Sequence, residues 1–224
     1  MSTLPPTVPL LCLPDRVHFP GATMEVELDG AAEPVLIREL QLQAPDQRHL
    51  GIVLPRAAET ATHEAIFPIG TVARVIALEA GEGSRWTLRL QGVCRFEVSE
   101  LTAIHPFRRA RVRPLEEPRF ADDEAWVRDL RERIGRRLLQ VHAALGEAFP
   151  LRRAELDTLL EGPFEALVNQ TAQSLDVPTE RKLELLQETI SERAGEVLGI
   201  LRSQVKLMEL LSPFRHLTAS AERN

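Results

Sequence analysis

The 224-residue chain contains no tyrosine, and lysine and cysteine are nearly absent from it. The lysines are Lys182 and Lys206, and neither follows a glycine, which excludes a nucleotide-binding loop of the Gly-x-x-x-x-Gly-Lys type. Cys12 and Cys94 are too few for a disulfide framework and belong to no paired metal-ligand motif. We therefore expect two reduced thiols, a reducing compartment and no ATP site of this type.

No residue pattern in the sequence indicates catalytic chemistry or a bound cofactor. The histidines are dispersed and show no His-Glu-x-x-His spacing, so we expect no metal site. Ser203 and Lys206 have the Ser-x-x-Lys spacing of penicillin-recognising acylases, but the companion motifs of that class are absent. Gly81 and Gly83 begin a dinucleotide fingerprint, whereas Trp86 stands where its third glycine is required. The sequence thus predicts a protein that is not an enzyme and that carries no cofactor.

The amino terminus has no basic segment, and prolines interrupt its apolar residues, which argues against a signal peptide. No apolar stretch approaches the roughly 20 residues that a membrane-spanning helix needs. We expect a soluble, cytoplasmic protein that has no membrane partner.

The net charge of -6 and the sequence pI of about 5.6 disfavour general binding to nucleic acid. One local exception is the arginine-rich segment at residues 108–113. On a strand, Arg109, Arg111 and Arg113 share one face, which could bind phosphate groups of RNA or an acidic protein surface. The alternative is an ordinary solvated face that Glu116 and Glu117 balance.

Short apolar segments alternate with turn residues in the first half of the chain. Met24, Val26 and Leu28 alternate with two glutamates, which is typical of a half-buried strand. Residues 34–42 suit a short helix with a proline in its first turn. We expect a turn at residues 29–30, a loop at 56–65, and further strands at 9–13, 50–54, 71–78, 86–90, 93–98 and 106–113, with a break at Gly92. Six or so short strands with one inserted helix predict a small closed barrel or rolled sheet.

After a charged, proline-containing connector at residues 116–119, the apolar residues recur every three or four positions, which indicates helices. A long helix begins near Asp122 or Asp123, either of which can cap it, and runs to about Gly146. Further helices are expected at residues 155–160, 164–175 and 179–186. A final helix begins with a capping-box sequence at residues 189–192 and runs to Leu211. The sequence predicts an α+β protein with a β subdomain at residues 1–117 and an α-helical bundle subdomain at residues 118–224.

Four short motifs and one helical segment stand out along the chain. A proline-bounded leucine run at residues 9–14 leads to Phe-Pro-Gly at 19–21. The other segments are Ile-Gly-Thr-Val-Ala at residues 69–73, Gly-Val-Cys-Arg-Phe at 92–96, the strand beginning with Pro-Phe at 106–107, and residues 187–203 with their Glu-Arg pair. These segments resemble strands and the long helix of the amino-terminal domain of the Lon protease family. The likeness covers roughly residues 9–212 and follows the family's order.

The resemblance implies a barrel of the pseudouridine-synthase-and-archaeosine-transglycosylase (PUA) type followed by helices, which Lon uses to engage substrate polypeptide. The sequence contains neither the ATPase module nor the Ser-Lys peptidase module of a full Lon protease. We therefore expect a non-enzymatic module of protein quality control that binds unfolded or partly folded polypeptide and that acts as an adaptor for a separate protease. A homodimer is left open.

Phenylalanines next to turns are the candidates for contact with such a polypeptide. They are Phe19, Phe67, Phe96 and Phe107. Exposed rings on the barrel, or in a cleft between barrel and helices, could hold an extended chain by burial of apolar area. The alternative is that these four side chains fill the protein core.

Overall fold

The computed structural model describes residues 4–29, 33–56, 65–118 and 120–211. The expected features at Met1–Thr3, at Gly30, in most of the 56–65 loop, at Arg119 and beyond Leu211 lie outside these residues. The strands are β1 Thr7–Cys12, β2 Thr23–Asp29, β3 His49–Val53, β4 Ile69–Ala80, β5 Arg85–Ala103 and β6 Arg109–Pro114. The helices are α1 Pro34–Leu42, α2 Ala125–Leu145, α3 Arg153–Glu161, α4 Phe164–Ser174, α5 Thr179–Gln187 and α6 Ile190–Leu211, with a single 3₁₀ turn at Gly146–Ala148. No helix among the described residues is both long enough and apolar enough to cross a bilayer.

The chain divides into two compact units, and the chain crosses between them more than once. The sheet unit contains the described residues up to Glu117 together with Leu175–Gln187, which include α5. The helical unit contains the described residues of Pro118–Ser174 and those from Glu188 onward. The subdomain boundary after residue 117 stays a prediction, since α5 is grouped with the sheet.

The six strands of the sheet unit form one sheet in the order β2-β5-β4-β3-β1-β6. β1 and β3 are parallel, and the other neighbours are antiparallel. Because β5 also pairs with β6, the series of pairings from β5 through β4, β3, β1 and β6 returns to β5. The expected α+β fold, a rolled sheet with an inserted helix and a group of helices, is confirmed. The more specific relation to PUA barrels stays a prediction.

The long strand β5 closes the roll because β-bulges bend it. Its pairing with β4 shifts register at Val72/Ala73 and at Val75/Ala77, and its pairing with β6 shifts register twice more. Each such irregularity adds an unpaired residue, which bends the strand and increases its twist. One 19-residue strand can therefore pair with β2 through residues 85–91, with β4 through residues 86–97 and with β6 through residues 96–103.

The predicted strand break at Gly92 is wrong, since β5 runs through this residue without interruption. The glycine is needed for a different reason, because a Cβ placed there would lie 2.2 Å from the carbonyl oxygen of Phe19. Main-chain hydrogen bonds from Gly21 to Gly92 (2.9 Å) and from Gly92 to Ala22 (2.9 Å) hold the two segments at this distance. The Phe-Pro-Gly turn is thus fixed against the centre of β5.

Two apolar clusters cover the two faces of the rolled sheet. One includes the buried side of α1 and consists of Leu11, Met24, Val26, Leu28, Leu36, Ile37, Leu40, Leu50, Ile52, Ala73, Val75, Leu88, Leu90 and Phe107. The other consists of Val8, Leu10, Val53, Val72, Phe96, Ala110 and Val112. Successive residues of a strand point to opposite faces, so Val72 and Ala73 belong to different clusters.

Arg95 links α5 to the sheet. This side chain is only 5% exposed, and its guanidinium donates to the main-chain oxygens of Leu186 (2.8 Å) and Gln187 (3.3 Å) at the carboxyl end of α5. It also forms an ion pair with Glu117 at 2.8 Å. A cation at this end of a helix is stabilised by the unpaired carbonyl groups and by the helix dipole. Arg95 is the arginine of the 92–96 segment noted in the sequence.

The helical unit is organised around packing of α2 against α6, with α4 against both and α3 against α4. Arg193 of α6 is fully buried and donates to the side-chain oxygen of Asn169 and to the main-chain oxygen of Glu188. The expected capping box is present in part, since the Glu192 carboxylate accepts hydrogen bonds from the amide (3.0 Å) and hydroxyl (2.6 Å) of Thr189.

Before α2, the residue at the capping position is Glu124 rather than Asp122 or Asp123. Its carboxylate accepts hydrogen bonds from the amide of Ala121 (2.9 Å) and from the indole N–H of Trp126 (2.6 Å). These two bonds lower the pKa of Glu124, and the bond from Ala121 has the larger effect.

Candidate functional site

The four phenylalanines expected at a binding surface lie mostly in the core. Phe19 and Phe96 are fully buried, and Phe107 is 9% exposed. Phe96 belongs to one apolar cluster and Phe107 to the other. All three rings are buried, so these side chains can contact a ligand only after the core rearranges.

Phe67 is the member of this group with a partly exposed ring. Its amide donates to the carbonyl oxygen of Leu54 (2.9 Å), next to a β-bridge between Pro55 and Ile66. The guanidinium carbon of Arg56 lies 4.6 Å from the centre of the Phe67 ring, within cation–π distance. Phe67 could therefore contact a ligand with one face while Arg56 covers part of the ring.

The three arginines of β6 all form ion pairs. Arg109 pairs with Glu39 of α1, Arg113 pairs with Glu97, and Arg111 pairs with Glu100 at 3.0 Å. The residues are on neighbouring elements, and the side chains of Arg111 and Glu100 are 61% and 58% exposed. Exposed pairs of this kind contribute little to stability. The paired glutamates do, however, neutralise the positive charge that would attract a phosphate group.

Two exposed apolar side chains that sequence reasoning missed lie at the β-bulges. Ile76 of β4 and Val93 of β5 are 45% and 44% exposed, and each is the extra residue at a register shift. Each lies on the same face as the exposed or partly exposed residue two positions before it, Arg74 in β4 and Gln91 in β5. A period-2 pattern is consistent with the exposure of both residues, but no sequence signal marks the bulges themselves in strands rich in branched residues.

β2 lies at the end of the strand order and, among the described residues, pairs only with β5. Its side chains alternate between the core (Met24, Val26 and Leu28) and solvent, as the sequence predicted. The solvent face carries Thr23, Glu25, Glu27 and Asp29. The structure therefore presents a strand edge with an acidic outer face, and sequence reasoning had not identified β2 as an edge.

Two of the acidic side chains of β2 bind neighbouring groups on the same face. Glu25 pairs with Arg89 of β5 at 2.8 Å, and hydrogen bonding to this carboxylate raises the pKa of Arg89. Asp29 accepts a hydrogen bond from the hydroxyl of Ser84 (2.6 Å). Glu27 lies between them, opposite Thr87. Acidic charge thus remains on the outer face of β2 near the open edge.

The described residues show no grouping of three or more histidines, cysteines, aspartates or glutamates that could hold a metal ion. The hydroxyl of Ser203 donates to the main-chain oxygen of Gly199 (3.2 Å) on an exposed face of α6. The pKa of Lys182 is lowered, mainly by burial, and the opposing charge of Asp176 reduces this effect. The exposed apolar side chains, the edge of β2 and the charged side chains described above can each contribute to binding of a partner molecule.

A sequence profile for the ATP-dependent protease La (LON) substrate-binding domain matches residues 7–203 of the chain. A Lon protease of Anaeromyxobacter dehalogenans is 28% identical over 213 residues, which cover 92% of this chain and 24% of that protein. A peroxisomal Lon protease homolog 2 of Danio rerio is 30% identical, over 96% of this chain and 27% of that protein. The chain thus spans about a quarter of the length of these curated relatives.

Two solved structures share the fold. The N-terminal domain of a Mycobacterium avium complex Lon protease superimposes with a TM-score of 0.63 at 17% identity, covering 88% of this chain and 98% of that domain. A Lon N-terminal domain protein from Xanthomonas campestris superimposes with a TM-score of 0.56 at 21% identity, covering 86% and 97% of the two chains.

Proposed function

The chain belongs to the ATP-dependent protease La (LON) substrate-binding domain family, and from this premise we propose that it recognises polypeptide substrates by binding alone. The recognised polypeptides are unfolded or partly folded chains that expose apolar segments. The chain itself catalyses no reaction and uses no cofactor. The observation that carries the proposal is the match of the substrate-binding profile over residues 7–203.

The surface of the sheet unit supports this proposal. Ile76 and Val93 expose apolar area on neighbouring strands, and Phe67 adds part of an aromatic ring. An unfolded chain can cover such side chains and gain about 25 cal/mol for each Å² of apolar surface removed from water. Phe19, Phe96 and Phe107 take no direct part in this version of the site, because they are buried.

The finer proposal is that the chain acts as an adaptor, which lends this surface to a separate protease. The test is degradation of an unfolded substrate by an ATP-dependent protease with and without the chain. An adaptor increases the degradation rate at low substrate concentration and loses this effect when its polypeptide-binding surface is altered. An unchanged rate over a range of adaptor concentrations contradicts the adaptor role but leaves polypeptide binding untouched.

The binding proposal is tested with a permanently unfolded, fluorescently labelled protein and fluorescence anisotropy. Complete burial of an apolar side chain is worth about 1.5–3 kcal/mol. Ile76→Ser and Val93→Ser each remove a side chain that is a little under half exposed, so we expect about a fivefold loss of affinity for each.

Leu145→Ser is the matched control, because Leu145 is 39% exposed on α2 of the helical unit. This variant should bind as tightly as the unaltered chain. Absence of any complex between the unaltered chain and the unfolded protein would contradict the proposed function.

RNA binding by Arg109, Arg111 and Arg113 remains the alternative, and the structure offers no observation that favours it, since each arginine pairs with a carboxylate. Filter binding to structured RNA at two salt concentrations tests it. A salt-sensitive complex that charge reversal of these three residues abolishes would establish the alternative. Cytoplasmic location and a homodimer likewise stay predictions.

A further inference from the structure

The open edge of β2 has main-chain groups in position to pair with another strand. Arg16 donates a hydrogen bond to the carbonyl oxygen of Glu25 (3.1 Å), and the amide of Glu33 donates to the carbonyl oxygen of Asp29 (2.9 Å). Neither donor belongs to β5, so both carbonyl groups point away from β5. Because the hydrogen-bonding direction alternates along an antiparallel strand, the amide and carbonyl groups of Thr23 and Glu27 point to the same side.

The opposite set of main-chain groups faces β5, which confirms this assignment. Gly92 of β5 donates to the carbonyl oxygen of Ala22 at 2.9 Å. Alternation from Ala22 places the main-chain groups of Met24, Val26 and Leu28 toward β5, in register with Leu90, Leu88 and Trp86. Thr23, Glu25 and Glu27 therefore present their amides to the open side of the sheet.

We propose that this edge accepts an extended polypeptide segment as an additional strand, and that the segment carries basic side chains at alternate positions. The inference rests on the proposed function, since it specifies how a polypeptide substrate is recognised and which class of sequence is preferred. Main-chain hydrogen bonds to β2 provide affinity for any extended chain. The side chains on the outer face of β2 determine which polypeptide sequences bind most tightly.

Charge on the outer face of β2 determines the preferred sequence. The side chains of an added strand that point to this face lie about 4.5–5.5 Å from those of β2, measured between Cβ atoms. They lie beside Glu25, Glu27 and Asp29. Because Glu25 already pairs with Arg89 and Asp29 already accepts from Ser84, Glu27 contributes most to the preference for lysine or arginine over glutamate or aspartate. The net charge of -6 for the chain acts in the same direction.

The same charges disfavour a second copy of this chain as the occupant. Antiparallel pairing of β2 with β2 of another copy would place glutamates and aspartates of both strands on one face. Like charges at directly opposed positions destabilise a strand pair. A basic segment of a different protein avoids this repulsion and is attracted by the acidic side chains of β2.

Arg16 protects the edge in the absence of a substrate. Its guanidinium donates a hydrogen bond to the carbonyl oxygen of Glu25 and forms a long ion pair with Asp15 at 3.8 Å. Charged side chains on an edge strand are a known means of preventing unwanted strand pairing. An incoming strand displaces this exposed side chain, so Arg16→Ala should strengthen binding by a few fold.

Glu27→Pro tests the edge directly, because the amide of Glu27 points to the open side. Proline there removes the donor and blocks an added strand but breaks no hydrogen bond to β5, and edge strands tolerate such a proline. Glu27→Ala is the matched control, since it removes the charge and retains the amide. Circular dichroism and thermal unfolding verify that both variants are folded.

The probe is a labelled peptide of about eight residues, which is a typical strand length, with lysine and valine alternating. We expect Glu27→Pro to weaken its binding by about tenfold and Glu27→Ala by about two- to threefold. A peptide with glutamate in place of lysine should bind at least about tenfold more weakly than the lysine peptide. A lysine peptide that is N-methylated at alternate amides should lose binding to the unaltered chain, which tests the main-chain bonds without any change in the protein.

The outcomes separate this inference from the proposed function. Equal binding of the lysine peptide to the Glu27→Pro and Glu27→Ala variants, or unchanged binding of the N-methylated peptide, overturns strand addition at β2. If the unfolded protein still binds in that case, polypeptide recognition stands and uses another surface. A dimer of the unaltered chain that Glu27→Pro converts to a monomer would identify a second copy as the occupant and overturn the proposal.

Discussion

Replacement of Arg95 by leucine is expected to destabilise the sheet unit more than any surface substitution. Arg95 is 5% exposed, and the side chain of its partner Glu117 is 15% exposed. Removal of the guanidinium leaves the Glu117 carboxylate without this cation and leaves the main-chain oxygens of Leu186 and Gln187 without this donor. Loss of one member of a buried ion pair costs about 3–5 kcal/mol.

This magnitude is a large part of the stability of a typical domain, which is about 5–15 kcal/mol. Arg111→Leu is the matched control, because Arg111 forms an ion pair with Glu100 on the same sheet but is 61% exposed. Exposed pairs contribute about 0–1 kcal/mol. We therefore expect a difference of at least about 2 kcal/mol between the two variants.

Urea unfolding measures this difference through the fluorescence of Trp86, which belongs to β5 of the sheet unit. Trp126→Phe is introduced in every variant, because Trp86 and Trp126 are the two tryptophans of the chain. The double variant Arg95→Leu/Glu117→Leu should recover part of the loss, since no buried charge is left unpaired. Equal destabilisation by Arg95→Leu and Arg111→Leu would refute the role assigned to Arg95.

Two further predictions concern backbone packing and pH. Gly92→Ala should destabilise the protein by about 2 kcal/mol or more, because its Cβ would lie 2.2 Å from the Phe19 oxygen. A Cβ at Gly195 on α6 meets nothing within 4 Å, so Gly195→Ala should stabilise the protein by about 0.5–1 kcal/mol in the same unfolding assay. Protonation of Glu124 should release the indole N–H of Trp126; since the folded pKa of Glu124 lies below 4.5, this contact is complete above that pH and is lost as pH falls through the folded pKa. The indole N–H resonance of Trp126 should therefore shift below pH 4.5, and Glu124→Gln should abolish the shift; an acid shift of the same size in that variant would contradict the assignment.

The strands and helices could be predicted largely from local patterns. β2 alternates between core and solvent as its sequence indicates, and α1 occupies Pro34–Leu42, the residues expected from its proline and apolar spacing. The continuity of β5 could not be predicted, because the reason for Gly92 is the distant carbonyl group of Phe19. A glycine required for close approach and a glycine that ends a strand are indistinguishable in one sequence.

The candidate site was less predictable, because it depends on which elements become neighbours. The arginines of β6 are identifiable from the sequence, but their partners Glu39, Glu97 and Glu100 lie on α1 and β5. The burial of Phe96 likewise depends on how the sheet rolls. The alternation of β2 was visible, whereas its position at the end of the strand order is a property of the whole sheet.

The attachment of α5 to the sheet has a consequence for biosynthesis. The carbonyl oxygen of Leu186 is separated from Arg95 by 91 residues, and α2, α3 and α4 are encoded between them. A ribosome therefore completes three helices of the second unit before the first unit receives its last helix. Until then the emerging chain carries a charged guanidinium whose final acceptors do not yet exist, so the sheet unit can reach its final form only after residue 187 has been synthesised.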